Sequence, residues 1–289
     1  MKYLWISTLI WAFSFNLIGN YLTGVVDVYF SASARNLLAL LIFLPFMQLK
    51  KINKGLALKL MTAGASQLGF MFIFLYTSFS HLQVAEVLMY TIFTPIYVSL
   101  LNDLFDRKFR SKYFLTALIS VIGAGIIKYT MMQENFLTGF LIIQLSNLSF
   151  AFGQVYYKKI ARDENNKNLA ELKHHEIFGW FYLGAVIVST TAFFTLGDTN
   201  KLPQTQTQWF ALLWLGVAAS GIGYYLWNKG VTRVDSGTMA IMNNALIPAG
   251  LVIDFFFNNQ QINYSRLIAG AALILVSLVL NSYFVAEKK

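Results

Sequence analysis

Ten apolar stretches recur along the chain, at about residues 3–20, 30–48, 56–79, 83–101, 113–129, 136–157, 176–196, 208–227, 237–257 and 265–285, and short polar segments separate them. Each is close to the roughly 20 residues a helix needs to cross a hydrocarbon core about 30 Å thick. The pattern predicts an all-α integral membrane protein with ten transmembrane helices. Roughly 200 of the 289 residues fall in these stretches, which leaves no room for a soluble domain.

Charge adds an orientation. With the N-terminus in the cytoplasm, Lys2, the 50–59 lysines, Arg107, Lys108, Arg110, Lys112, the cluster Lys158 to Lys173, Lys229, Arg233, Lys288 and Lys289 all fall on that side. This makes 18 cations, against three outside (Lys128, Lys201, Arg266) and one inside a stretch, Arg35, of 22 in all. Short loops rich in Lys and Arg stay cytoplasmic. Both termini are therefore expected in the cytoplasm, with the chain spanning a bacterial inner membrane many times.

Composition narrows the function. The chain is 57% hydrophobic and 12% charged, about half the charged share of a soluble domain. The net charge of +9 lies in membrane-side loops, so no nucleic-acid partner is predicted. There is no cysteine. No H-E-x-x-H, G-x-S-x-G, phosphate-binding loop or Rossmann glycine run occurs, so no enzyme, cofactor or metal is expected. His174-His175-Glu176 reads as a polar cap, since adjacent residues point in different directions around a helix. Without an ATP-binding loop, transport would draw on a gradient or a partner.

An internal repeat sets the architecture. Leu75 to Pro95 aligns without gaps with Asn228 to Pro248, at a shift of 153 residues; each is a span end, a tight turn, and a span with a late proline. Ser111-Lys112 and Ser265-Arg266 occupy matching places further on. Two halves of five spans follow, 1–133 and 134–289. Five crossings are odd, so the second half enters from the opposite side and the repeats are inverted, the arrangement on which alternating access rests.

Pro95 and Pro248, with the Ile122-Gly123-Ala124-Gly125 end of the fifth span, resemble the EamA-type transporters of the drug/metabolite transporter superfamily over the whole chain. Trp11-Ala12-Phe13-Ser14-Phe15, Gln67-Leu68-Gly69, Gln144-Leu145-Ser146-Asn147, Trp180 to Gly184, Ala219 to Tyr224 and Ile241 to Asn244 are similar to the biotin-importing members of its carboxylate/amino acid/amine branch. The resemblance implies the EamA fold and uptake of biotin or a similar small carboxylate. An exporter of amino acids or other metabolites, and a non-transporting membrane subunit, share the same pattern.

Polar side chains in hydrocarbon should face the bundle interior or a wet cavity. The candidates are Arg35, Gln67 with Phe70 and Phe74 beneath it, Tyr90, Asn147, Trp180, Tyr224, Trp227, and the adjacent Asn243 and Asn244, whose side chains diverge by about 100°. Trp11 is a further candidate for the cavity wall, and Gln144 and Asn16 read equally as helix contacts. Arg35 has three readings: snorkelling to the surface, a structural pair with Glu86, or a fork that holds a substrate carboxylate. Glu86 reads as a proton carrier, a counter-ion or a specificity group. Gly123, Gly125 and Gly270 permit close helix contact within or between chains.

Overall fold

The computed structural model describes residues 1–82, 84–128, 136–163, 172–258 and 264–286. Gln83, Lys167, Lys288, Lys289 and the boundary at 133–134 lie outside the described residues. We number the helical rods in chain order. The first is α1, Lys2–Leu17 with a π-helical turn Ile18–Leu22, and the second α2, Val28–Phe43 with a 3-10 turn Leu44–Phe46. Next come α3, Lys54–Ser78, and α4, which runs Val84–Tyr90, Thr91–Phe93 and Thr94–Asp106. They are followed by α5 (Ser111–Lys128), α6 (Leu137–Ala161), α7 (His174–Leu196) and α8 (Gln206–Val231). The last two are α9, as Ser236–Asn244 and Leu246–Asn258, and α10 (Tyr264–Ala286). Five of these, α2, α3, α7, α8 and α10, are long and apolar enough to cross a membrane.

Side chains are distributed for an apolar solvent. Phe194 is 81% exposed and Leu104 70%, whereas Ser7, Asn36, Gln67, Gln154, Ser220 and Asn228 are fully buried. A soluble domain has the reverse pattern. In hydrocarbon every amide or hydroxyl must find a partner inside the bundle. Trp209 and Tyr264 lie on the exposed outside, as expected of interfacial belt residues.

Local chemistry sets the rod ends and breaks. Asp27, Asn53, Thr205 and Asp235 cap α2, α3, α8 and α9, each accepting a backbone N–H from the first turn. Between α1 and α2 the chain turns at Gly24, whose φ of +76° suits a residue without a β-carbon. In α4, Pro95 has no N–H for the Thr91 carbonyl; the Thr94 hydroxyl supplies the missing donor at 2.7 Å. The same break turns the Thr94 N–H back to Thr91, so the Tyr90 carbonyl loses its α-helical donor. Before Pro248, α9 is interrupted at Ala245, whose N–H reaches back to Met242.

Besides the π turn that ends α1, two rods widen into π-helix along their length, α3 over Ala65–Phe70 and α8 over Leu215–Gly223. The α3 segment corrects one expectation. Phe70 is 46% exposed, while Phe72 and Tyr76 are buried. A wide turn takes an extra residue, so the inward face after Gln67 moves on from the α-helical spacing.

The core is built by α2 against α7, α3 against α6 and α7, and α8 against α1 and α2. Where α2 crosses α7, the Asn36 amide donates to Ser189 Oγ at 3.2 Å, a pair separated by 153 residues. Along the α5–α10 contact a β-carbon at Gly123 would sit 2.7 Å from the Gly270 carbonyl oxygen. These glycines therefore serve a helix contact within the chain.

Candidate functional site

The rods enclose a central cavity of about 90 Å³, walled by α1, α2, α3, α4, α6, α8 and α9. Arg35, on α2, enters it with only 2% of its surface exposed. Its Nε donates to Ser220 Oγ at 3.2 Å and its Nη1 to the Tyr76 hydroxyl at 3.1 Å. The guanidinium carbon lies 4.0 Å from the centre of the Phe72 ring. Arg35 therefore neither snorkels to the surface nor pairs with Glu86, and no carboxylate neutralises it among the described residues. A guanidinium has five N–H donors; the two bonds leave three for a ligand. Sequence reasoning missed Phe72 and Tyr76 because their inward direction depends on the π turn in α3.

An aromatic wall continues from Arg35. Tyr224 packs edge-on to Phe72 with centroids 5.9 Å apart, and Trp11 lies 4.5 Å from Tyr224 and 4.9 Å from Trp227. Phe150 of α6 packs against all three members of that cluster. Both indole N–H groups are committed within the bundle, Trp11 to the Ala219 carbonyl at 3.1 Å and Trp227 to Gln154 Oε1 at 3.0 Å. What the wall offers a ligand is therefore ring surface.

Amides complete the lining. Asn147 on α6 donates to the Tyr90 carbonyl at 2.8 Å and to Gln144 Oε1 at 3.1 Å. With both N–H atoms engaged, only its Oδ1 remains to accept a hydrogen bond. Gln144, which also donates to the Tyr90 carbonyl and accepts from the Tyr97 hydroxyl, is a helix contact. On α9, Asn243 lines the cavity; its amide donates to the Met239 carbonyl at 2.8 Å, and its Oδ1 accepts from Gln154 at 3.4 Å.

The remaining predicted site residues lie off the cavity wall. Asn244, one residue past Asn243, points to α5 and donates to Ser120 Oγ at 3.3 Å. Trp180 donates to the Gln48 carbonyl at 3.3 Å, tying α7 to the loop after α2. Gln67 is wholly buried in the α3 π segment, against the backbone space left by Gly153 of α6. Tyr90, 2% exposed, meets the site through its backbone carbonyl. Glu86, 3% exposed, sits in the first turn of α4, outside the cavity lining.

A polar cluster occupies one end of the bundle, where α4, α6 and α9 meet. Arg110 bonds Asp103 at 2.9 Å and Asp106 at 2.6 Å, and Lys159 pairs with Asp106. Partial burial alone would raise the Asp106 carboxyl, but hydrogen bonds and charge from Lys159 and Arg110 hold it below the ordinary value of 3.8. Arg162 reaches the Thr232 and Val234 carbonyls, binding the α8–α9 turn to α6.

Comparison with known proteins extends the geometry. The chain is 44% identical to the biotin transporter of Salmonella typhimurium, over 100% of this chain and 95% of that protein. It is 44% identical to the biotin transporter of Escherichia coli K12, with the same coverage. A solved crystal structure 14% identical in sequence superposes with a TM-score of 0.76 over 98% of each chain, which shows a shared fold. Residues 1–129 and 137–283 each match the EamA-like transporter family. A mostly aromatic and apolar cavity with a buried guanidinium, inside an apolar-sheathed bundle, and these two matches lead to one conclusion: this chain is a multi-pass membrane protein that belongs to the EamA-like transporter family.

Proposed function

We propose that the chain imports biotin, or a closely similar small carboxylate, across a bacterial inner membrane by alternating access. One observation carries the reading: Arg35 is a buried guanidinium on the cavity wall with only neutral hydrogen-bonding partners. Burying an uncompensated charge is costly, and a bidentate carboxylate both neutralises it and uses its spare donors. Biotin fits the rest of the wall. Its ring system would lie against Trp11, Tyr224 and Trp227, a ureido N–H would donate to Asn147 Oδ1, and its carboxylate would meet Arg35. The relatives named biotin transporters support this choice of cargo.

The architecture proposed with it is ten spans in two inverted repeats, 1–133 and 134–289, with both termini cytoplasmic. Several correspondences at the same shift support it. The π segment Ala65–Phe70 has its counterpart within Leu215–Gly223, and the break before Pro95 has one at Ala245 before Pro248. Asn36 and Ser189, 153 residues apart, meet each other, as positions related by a two-fold axis can. In this orientation the Asp103–Arg110–Asp106–Lys159 cluster lies at the cytoplasmic mouth.

The deciding experiment is uptake of radiolabelled biotin by cells that lack their own importer and express this chain. Saturable uptake above the vector control is expected; none at normal membrane expression overturns the cargo. Glu86 is proposed as the proton carrier of the cycle. A protonophore should lower uptake, and Glu86→Gln should leave it at the protonophore-treated level. Uptake indifferent to both removes Glu86 from coupling.

A further inference from the structure

The π-helical segment of α8 is held from outside by three side chains. The Trp11 indole donates to the Ala219 carbonyl at 3.1 Å, Ser7 Oγ to the Gly223 carbonyl at 2.8 Å, and the Tyr182 hydroxyl to the Ser220 carbonyl. The Ala219 bond has a specific reason. A π turn passes each carbonyl to the N–H five residues on; at the end of this segment, however, the Tyr224 N–H turns to the Ser220 and Gly221 carbonyls. The Ala219 carbonyl gives up its π-helical donor, the Tyr224 N–H, at that junction. In a buried, apolar setting a carbonyl short of a donor is costly, and Trp11 supplies one.

Register is at stake. Were the segment to rewind as ordinary α-helix, the side chains on one side of it would rotate by about 100° for the residue absorbed. Ser220 lies inside the segment, and its hydroxyl is the partner of Arg35 Nε. We infer that Trp11 is a positioning residue: its indole N–H keeps the α8 π segment wound so that Ser220 aims the Arg35 guanidinium, and this sets the preference for a carboxylate over a neutral ligand. The inference rests on the proposed role of Arg35 and adds a residue that acts through it. The ring of Trp11 and the N–H of Trp11 then have separate duties, one toward the ligand and one toward α8.

The test uses the full chain in importer-deficient cells, with radiolabelled biotin competed by unlabelled biotin or by neutral biotinamide. The readout is the ratio of the two half-inhibitory concentrations. Trp11→Phe keeps an aromatic ring and removes the N–H; the ratio should fall about fivefold, the range of one lost hydrogen bond. Ser220→Ala should reproduce the fall, and the double variant should be no worse than either single, since both act on one contact. Tyr182→Phe serves as the second probe of the same segment, should Trp11→Phe fail to reach the membrane. A Trp11→Phe protein that transports less but keeps the wild-type ratio, or penalties that add in the double variant, overturns the inference. Arg35→Gln separates the two levels. If it abolishes the preference while Trp11→Phe and Tyr182→Phe retain it, Arg35 binds the carboxylate and only the positioning role falls; if wild type and Arg35→Gln show the same ratio, both readings fall.

Discussion

Arg35 and Lys158 are both buried cations, 2% and 4% exposed, in two different surroundings. Lys158 stands at the polar end of the bundle. Its ammonium donates to Ser236 Oγ at 3.4 Å, Ser236 donates to Asn102, and Asp106 and Asp235 line the same pocket. Around Arg35 there are a serine, a tyrosine and a phenyl ring. Lys158 forms no ion pair among the described residues, but carboxylates stand in its pocket and offset its charge from a distance. A cation among neutral acceptors has part of its charge and most of its N–H groups left for something that comes and goes. The positive charge to read as a ligand site in a membrane bundle is the one whose cavity holds no carboxylate among the described residues.

The comparison can be broken at several points. The largest effect is expected from Arg35→Gln, which should cut biotin uptake by roughly 10- to 150-fold, the range of a charge-assisted hydrogen bond; uptake kept within twofold would mean that the cation is structural. Asn243→Ala should raise the KM for uptake by about 2- to 10-fold with Vmax nearly unchanged, and a pure loss of Vmax would move Asn243 from the wall to the bundle's stability. Smaller still is the mouth. Asp106→Asn removes partly exposed ion pairs worth about 0.2–1 kcal/mol each, so a drop of a few degrees in melting temperature with near-normal uptake is expected. Collapse of uptake would show that the mouth gates transport.

The Asp106 interactions also carry a pH signature. Its carboxyl is held below its ordinary value, so the stability it contributes is present above about 3.8 and is lost as pH falls below that through the folded value. Melting of the purified protein should be insensitive to Asp106→Asn only at the acid end of that range. A difference between variant and wild type that vanishes already at pH 6 would contradict the assignment.

Trp11 and Trp180 show how far sequence could reach. Each lies within an apolar stretch beside small or polar residues, and nothing local separates them. Trp11 faces the cavity, whereas Trp180 is bound to the Gln48 carbonyl in the loop after α2. Asn243 and Asn244 were more legible, because adjacent helical residues must diverge and one amide had to face away from the other's partner. Phe72 and Tyr76 were not, since apolar spacing carries no mark of a π turn. In α8 the side chains that donate to the wide segment's carbonyls, Ser7, Trp11 and Tyr182, come from distant parts of the chain.

Sequence alone determined the class of the molecule: apolar stretches of membrane length, a lopsided distribution of Lys and Arg, prolines that must break α4 and α9, and an internal likeness at a shift of 153 residues. These follow from spacing and backbone chemistry, which act over a few residues. Tertiary structure alone decided which polar groups are already taken. It used the N–H groups of Asn147 and Trp11 on backbone carbonyls at helix irregularities, turned Asn244 away to α5, and left Arg35 without a carboxylate among the described residues. Hydrogen-bond partners and counter-charges in a bundle come from other helices, so what remains free for a ligand appears only once the helices are packed.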